Sequence, residues 1–204
     1  MPQTSLPKPG VLLVVSGPSG AGKTTLCQRL SVEDPNVIHS VSCTTRAPRE
    51  GETDGESYFF LNVEEFEKKI ENGEFLEHAL VHGNHYGTLL EWVRKHLASG
   101  THVVMDIDVQ GAEQIRNHPD PFIAECRADL FIFLSEDELT SRLHARASES
   151  EDQLAVRLKN ARDELAQWPN YQYVISSRSR EEDYARFCAI VEGEKQRSID
   201  EVAR

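Results

Sequence analysis

The sequence is short of positive charge. Its 204 residues carry 22 Lys and Arg against 34 Asp and Glu, a formal net charge of -12. That balance argues against a nucleic-acid polymer as partner, and any anionic substrate must be held by local groups of arginine against a repulsive overall field. The sequence is also poor in cysteine. Cys27, Cys43, Cys126 and Cys188 are scattered, with neither disulfide-framework nor metal-centre spacing, and read as reduced thiols of a cytoplasmic protein. No apolar run reaches the length that crosses a bilayer, so no membrane partner is expected. Residues 1–9 hold three prolines and one lysine but no apolar stretch, which reads as a loose tail and not a signal peptide. There is no internal repeat. A chain of this length suits one domain with small insertions and can bury a core without staples.

What is present is organised around Gly17-Pro18-Ser19-Gly20-Ala21-Gly22-Lys23-Thr24, which reads G-x-x-x-x-G-K-[ST]. An apolar, β-branched run from Val11 to Val15 leads into it, the pattern of a buried strand. Thr25 to Leu30 follows with Leu26 and Leu30 one helical turn apart. The glycines let successive backbone N–H groups turn inward on an anion, and the helix adds its positive end. Lys23 is expected to reach the β- and γ-phosphates of a nucleotide and Thr24 to ligate Mg²⁺.

Further on, apolar strands alternate with helical patterns, which predicts an α/β fold with a mostly parallel sheet. Strands are expected at 37–42, 57–61, 75–81, 103–105, 129–134 and 173–175. Asn62 with Glu65, Thr88 with Glu91, and Ser135 with Glu138 read as helix-starting capping boxes. Val63, Phe66 and Ile70 fall on one face of the helix that Gly73 ends. The segment from about 41 to 97 departs from the alternation and suggests a small α+β insertion. Helical patterns rich in charge run from Ser135 to about Gln167, interrupted at Ser148-Glu149-Ser150, and a last helix begins near Glu181.

Several side chains carry possible chemistry. Arg46 and Arg49 lie three apart in a polar loop with Tyr58 after them. Two guanidinium forks and a phenol suit phosphate oxygens, and a solvated basic loop is the bland alternative. Asp106 ends an apolar strand, where a Mg²⁺-holding acid belongs in a phosphate-loop enzyme. Asp108 either faces the same side or simply caps a helix. Arg142 and Arg146 share a helix face, and Arg157 follows in the same charged region. They form either surface ion pairs or a lid that brings charge onto a transferring phosphoryl group. The histidines show no convincing metal spacing.

Together these residues resemble guanylate kinases. The specific stretches are the phosphate loop, Ser40-Val41-Ser42-Cys43-Thr44-Thr45-Arg46-Ala47-Pro48-Arg49, Gly51-Glu52-Thr53-Asp54-Gly55 with Tyr58-Phe59-Phe60, Gly83-Asn84-His85-Tyr86-Gly87, and Asp106-Ile107-Asp108-Val109-Gln110-Gly111. The resemblance implies a three-layer phosphate-loop fold with its core in 10–40, 98–135 and 163–204, a GMP-binding insertion at 41–97 and a lid at 136–162. It implies phosphoryl transfer from ATP to GMP with Mg²⁺. ATP falls to Gly17 through Thr24 with Thr25. GMP falls to Ser42, Arg46, Arg49, Tyr58, Glu77, Tyr86, Thr88 and Asp108. Mg²⁺ falls to Thr24 and Asp106, and catalysis to Lys23, Arg46, Arg142, Arg146 and Arg157. Chemistry supports Glu77, since guanine offers N1–H and N2–H₂ as adjacent donors and a carboxylate accepts two parallel hydrogen bonds. Three positions depart from the family pattern. Ser176-Ser177-Arg178 stands where Asn-Asp follows the last strand, Arg146-Ala147-Ser148-Glu149 replaces an Arg-Gly-Thr-Glu run, and Thr88 stands where Ser is common. A competing class is the phosphopeptide-binding module of scaffold proteins, which keeps the fold but degrades the phosphate loop. Here Lys23 and Thr24 are intact.

Overall fold

The computed structural model describes residues 8–81, 83–144 and 151–200. Expectations for the tail before Lys8, for His82, and for Arg146 with the Ser148–Ser150 break lie outside the described residues.

The core is a five-stranded, all-parallel sheet in the order β2-β7-β1-β8-β9. Its strands are β1 (Leu12–Ser16), β2 (Val37–His39), β7 (His102–Asp106), β8 (Arg127–Phe133) and β9 (Tyr173–Ser176). Strand alternation splits the apolar residues between two layers. Leu13 and Val15 pack with Val104, Leu130 and Ile132 under helices α1 (Lys23–Glu33) and α8 (Arg180–Asp200), joined by Leu139 of α6 (Glu136–His144) and Ala161 of α7 (Glu151–Leu165). Leu12 and Val14 pack with Val103, Met105 and Phe131 under α3 (Leu90–Ala98), α4 (Val109–Arg116) and α5 (Pro121–Cys126). Both faces are covered, so the strands read as continuous apolar runs.

A second sheet, in the order β4-β3-β6-β5, holds β3 (Cys43–Thr44), β4 (Phe59–Phe60), β5 (Phe75–Val81) and β6 (Asn84–Leu89). Helix α2 (Val63–Glu71) closes a small core of its own, in which Phe66 stacks on Phe75 with ring centroids 4.3 Å apart.

Local expectations met tertiary structure with mixed results. The Asn62–Glu65 capping box forms, and Ser135 and Glu138 cap each other. Thr88 caps nothing. It lies buried in β6 opposite Glu77 of β5, and α3 starts after Leu89 without a side-chain cap. Sheet pairing has outweighed the local pattern. The stretch 37–42 ends its pairing in the core sheet at His39, and the next strand, from Cys43, belongs to the second sheet. Strand 57–61 shrinks to Phe59–Phe60, and Val63, expected on the packed face of α2, is half exposed. Although all but the last residue of α3 falls inside 41–97, its Val93 and Leu97 pack in the core.

Candidate functional site

The phosphate loop joins the central strand β1 to α1, at the carboxyl edge of the sheet between β7 and β8. This is where sheet order reverses and α/β proteins bind ligands. Gly17 has φ +145°, and a Cβ there would lie 2.5 Å from the Ile132 carbonyl oxygen, so only glycine lets the loop pass this close to β8. Gly20 and Gly22 also take positive φ, turning the loop into the helix. The Lys23 ammonium donates to the carbonyls of Gly17 at 2.6 Å and Pro18 at 3.2 Å, which lays it along the loop. Burial lowers its pKa, opposed by the charges of Glu164 and Asp106.

Asp106 stands at the end of β7, beside β1. One carboxylate oxygen accepts from the Thr24 hydroxyl and the other pairs with His39 Nε2 at 2.6 Å. Burial pushes this carboxyl up, but those two hydrogen bonds, with the charges of His39 and Lys23, outweigh burial and hold it below its ordinary value. The Thr24 hydroxyl and the ionised Asp106 are adjacent hard oxygen donors, the set that suits Mg²⁺. A donor atom of Cys27 also lies within 4.8 Å of those of His39 and Asp106. Cys27 is packed in the apolar layer under α1 and burial raises its thiol pKa, so it reads as core.

A second group of polar side chains gathers on the four-stranded sheet. Glu77 is only 7% exposed, and its pKa is pushed up to about 7, by burial first and by the charge of Asp108, against a hydrogen bond from Thr88. Thr88 lies 3.3 Å from the Ser42 hydroxyl. A Cβ on Gly111 would come within 3.1 Å of the Glu77 carboxylate, so the start of α4 presses closely on this acid. Asp108 is the N-cap of α4, accepting from the Gly111 N–H at 2.8 Å. The strand ends at Asp106, so the alternative of two strand carboxylates on one side does not hold. As a cap, Asp108 still acts electrostatically on both Lys23 and Glu77.

Beside Glu77 is the arginine loop. Arg46 forks onto Glu52 at 2.8 and 3.0 Å and sits 5.4 Å over the Tyr58 ring. Tyr58 and Tyr86 meet edge to face, with centroids 6.1 Å apart. The Arg49 backbone N–H also donates to Glu52, at 2.7 Å, while its side chain is exposed.

Arg142 of α6 reaches the phosphate loop. One guanidinium nitrogen lies 3.4 Å from the Gly20 carbonyl oxygen and another 3.0 Å from Ser177 Oγ. Arg157 is half-buried on α7. A cavity of about 570 Å³ opens beside the loop, lined in part by Gly22, Thr25, Arg29, Arg142 and Arg178.

A strand–loop–helix phosphate loop, with arginine and tyrosine side chains gathered on a second sheet, suits a kinase that acts on a small phosphorylated acceptor. The guanylate kinase family model matches residues 10–194. The chain belongs to the guanylate kinase family. Among its relatives, guanylate kinase of Cereibacter sphaeroides is 45% identical over 170 residues, 83% of this chain and 79% of its own length. Guanylate kinase of Fusobacterium nucleatum is 43% identical over 183 residues, 90% and 96% of the two chains. The crystal structure of guanylate kinase from Anaplasma phagocytophilum matches with a TM-score of 0.69 at 34% identity, over 93% of this chain and 88% of that one.

Three acids in this guanylate kinase chain escaped sequence reasoning. Glu52 holds Arg46. Glu164 of α7 acts electrostatically on Lys23, and burial raises its pKa. Asp183 of α8 is buried against Ser177. Among 34 acids, only Glu52 offered a signal, three residues beyond Arg49 in a turn.

Proposed function

We propose that this chain transfers the γ-phosphoryl group of ATP to the phosphate of GMP, giving ADP and GDP, and does so in the cytoplasm. The observation that carries this reading is Glu77, a carboxylate buried beside the hydroxyls of Thr88 and Ser42. Its two oxygens match the paired N1–H and N2–H₂ donors of guanine, while Ser42 and Thr88 can donate to O6. Adenine lacks that donor pair and would leave the carboxylate buried without partners.

The remaining residues take roles that follow from the family resemblance, Arg146 among them without a described position. The loop from Gly17 to Thr24, with Thr25, wraps the ATP phosphates through backbone N–H groups, and Lys23 neutralises their charge. Arg46, Arg49, Tyr58 and Tyr86 clamp the GMP phosphate, with Glu52 holding the Arg46 fork in the meantime. Asp108 joins the GMP contacts. Arg142, with Arg146 and Arg157, supplies charge from a lid at 136–162, and the insertion at 41–97 carries the acceptor. Thr24 and Asp106 would hold Mg²⁺, which when bound neutralises phosphate charge. An intact Lys23, Thr24 and Asp106 favours the enzyme over a silent binding module. The cytoplasmic setting is supported by four unpaired cysteines and by the lack, among the described residues, of any helix long and apolar enough to cross a membrane. The acidic charge argues against a nucleic-acid polymer as a further partner.

The test is Glu77→Gln, which places an amide donor against a donor of the base. The variant should lose about ten- to a hundredfold in kcat/KM for GMP, the worth of one charge-assisted hydrogen bond, while kcat/KM for AMP holds or rises. An unchanged ratio of GMP to AMP would show that Glu77 does not read the base.

A further inference from the structure

We propose that Ser177 and Asp183 are positioning residues that aim the Arg142 guanidinium at the phosphate loop; this rests on the reading of Arg142 as a charge-supplying group. The assignment follows from hydrogen-bond arithmetic. Arginine can only donate, so the 3.0 Å contact from Arg142 makes Ser177 Oγ the acceptor. The hydroxyl proton is then left for Asp183 Oδ2, 2.6 Å away. The other oxygen of Asp183 accepts the Arg178 N–H at 2.9 Å, which fixes the carboxylate plane. A hydroxyl is a free rotor until a strong acceptor claims its proton. Asp183 claims it here, and the lone pairs of Ser177 are thereby turned to Arg142.

Both anchors are rigid and dry. The Ser177 N–H is tied to the Phe133 carbonyl of β8 at 2.9 Å, and Asp183 sits in the first turn of α8 with its N–H on Ser179 at 2.9 Å. Ser177 is 4% exposed and Asp183 6%, so their electrostatic coupling is weakly screened. The second Arg142 contact, to the Gly20 carbonyl at 3.4 Å, is long, which leaves Ser177 as the shorter tether. Ser177 also separates two opposite charges. Without its hydroxyl, the guanidinium is free to turn from the loop onto Asp183. This gives a use to Ser177, at a position where the chain departs from the Asn-Asp pattern of its family.

The experiment is ¹⁵N NMR of the arginine side chains in the full chain, with steady-state kinetics, for Ser177→Ala, Ser177→Thr, Asp183→Asn and Arg142→Ala, and for Ser177→Ala combined with Arg142→Ala. Rotation of the Arg142 guanidinium should change several-fold in Ser177→Ala and Asp183→Asn and return to the wild-type rate in Ser177→Thr. The kcat of Ser177→Ala should fall about tenfold, the scale of a misplaced catalytic group, with KM for GMP within about twofold. Adding Ser177→Ala to Arg142→Ala should cost nothing more. Unchanged Arg142 rotation in Ser177→Ala would overturn the proposal, as would the same kcat loss with Arg142 already removed. Altered rotation with full kcat in both single variants would uphold the aiming role and overturn the catalytic reading of Arg142 instead.

Discussion

Lys23, half-buried, and Glu77, buried, serve opposite purposes. Lys23 is held against its own loop by carbonyls and is not part of either apolar layer. Lys23→Ala should therefore leave the thermal midpoint nearly unchanged and remove most of kcat, by about a hundredfold or more, since it deletes charge that meets the transferring group. Near-normal turnover in the folded variant would refute that role. Glu77 carries a pH signature. Its pKa is about 7 in the fold against 4.5 for an ordinary glutamate. Between those values the folded chain binds more protons than the unfolded one, so this residue's contribution to stability falls as pH rises through the window. Glu77→Gln should remove that slope and gain on the wild type by up to about 3 kcal/mol between pH 4 and pH 8 in chemical denaturation. A constant difference between the two proteins across that range would contradict the buried charge. The same titration should lower wild-type kcat/KM for GMP as pH falls below about 7, because a protonated carboxyl turns a donor toward guanine.

Elements show how far local pattern reaches. The caps at Asn62 and Ser135 were legible because a capping box is closed by residues three apart. The same pattern at Thr88 misled, because pairing of β6 with β5 decides that segment. Asp106 was legible as the end of an apolar strand, and the Gly17 turn as part of a motif. Glu164 was not, since the phosphate loop it acts on is far away in sequence, and Asp183 was not, since its bonds to Arg178 and Ser177 span five and six residues, beyond a capping pattern. Glu164 has a testable consequence. Its charge acts on Lys23, in the loop where phosphate oxygens are proposed to bind. Glu164→Gln should tighten binding of ATP about three- to tenfold by removing a competing anion, as measured by calorimetry with and without Mg²⁺. Weaker binding would mean that the acid supports the loop in its liganded form. Arg142→Ala should depress kcat far more than it changes KM for GMP.

At the scale of the molecule, a parallel sheet and a smaller mixed sheet share packing: Phe66 and Phe75 form a small cluster, while Leu76 of β5 and Val93 and Leu97 of α3 pack with the parallel sheet. The parallel sheet was legible from strand–helix alternation; packing shared between the two sheets was not, because it joins residues far apart in sequence. The fold carries its net charge of -12 yet is proposed to seat two polyanions, so recognition depends on cradles that concentrate N–H groups and arginines. Those cradles must come together with water shut out, or ATP would be hydrolysed. Small-angle scattering should show compaction when an unreactive ATP analogue and GMP are added together, and less with either alone. The most direct measurement is transfer of the labelled γ-phosphoryl group of ATP, with Mg²⁺, to equal concentrations of GMP, AMP, CMP and UMP. The account predicts labelled GDP as the main product, with GMP favoured over AMP by about a hundredfold or more in kcat/KM, the scale set by a buried polar group left unpaired. Label passing equally to AMP, or only to water, would contradict it.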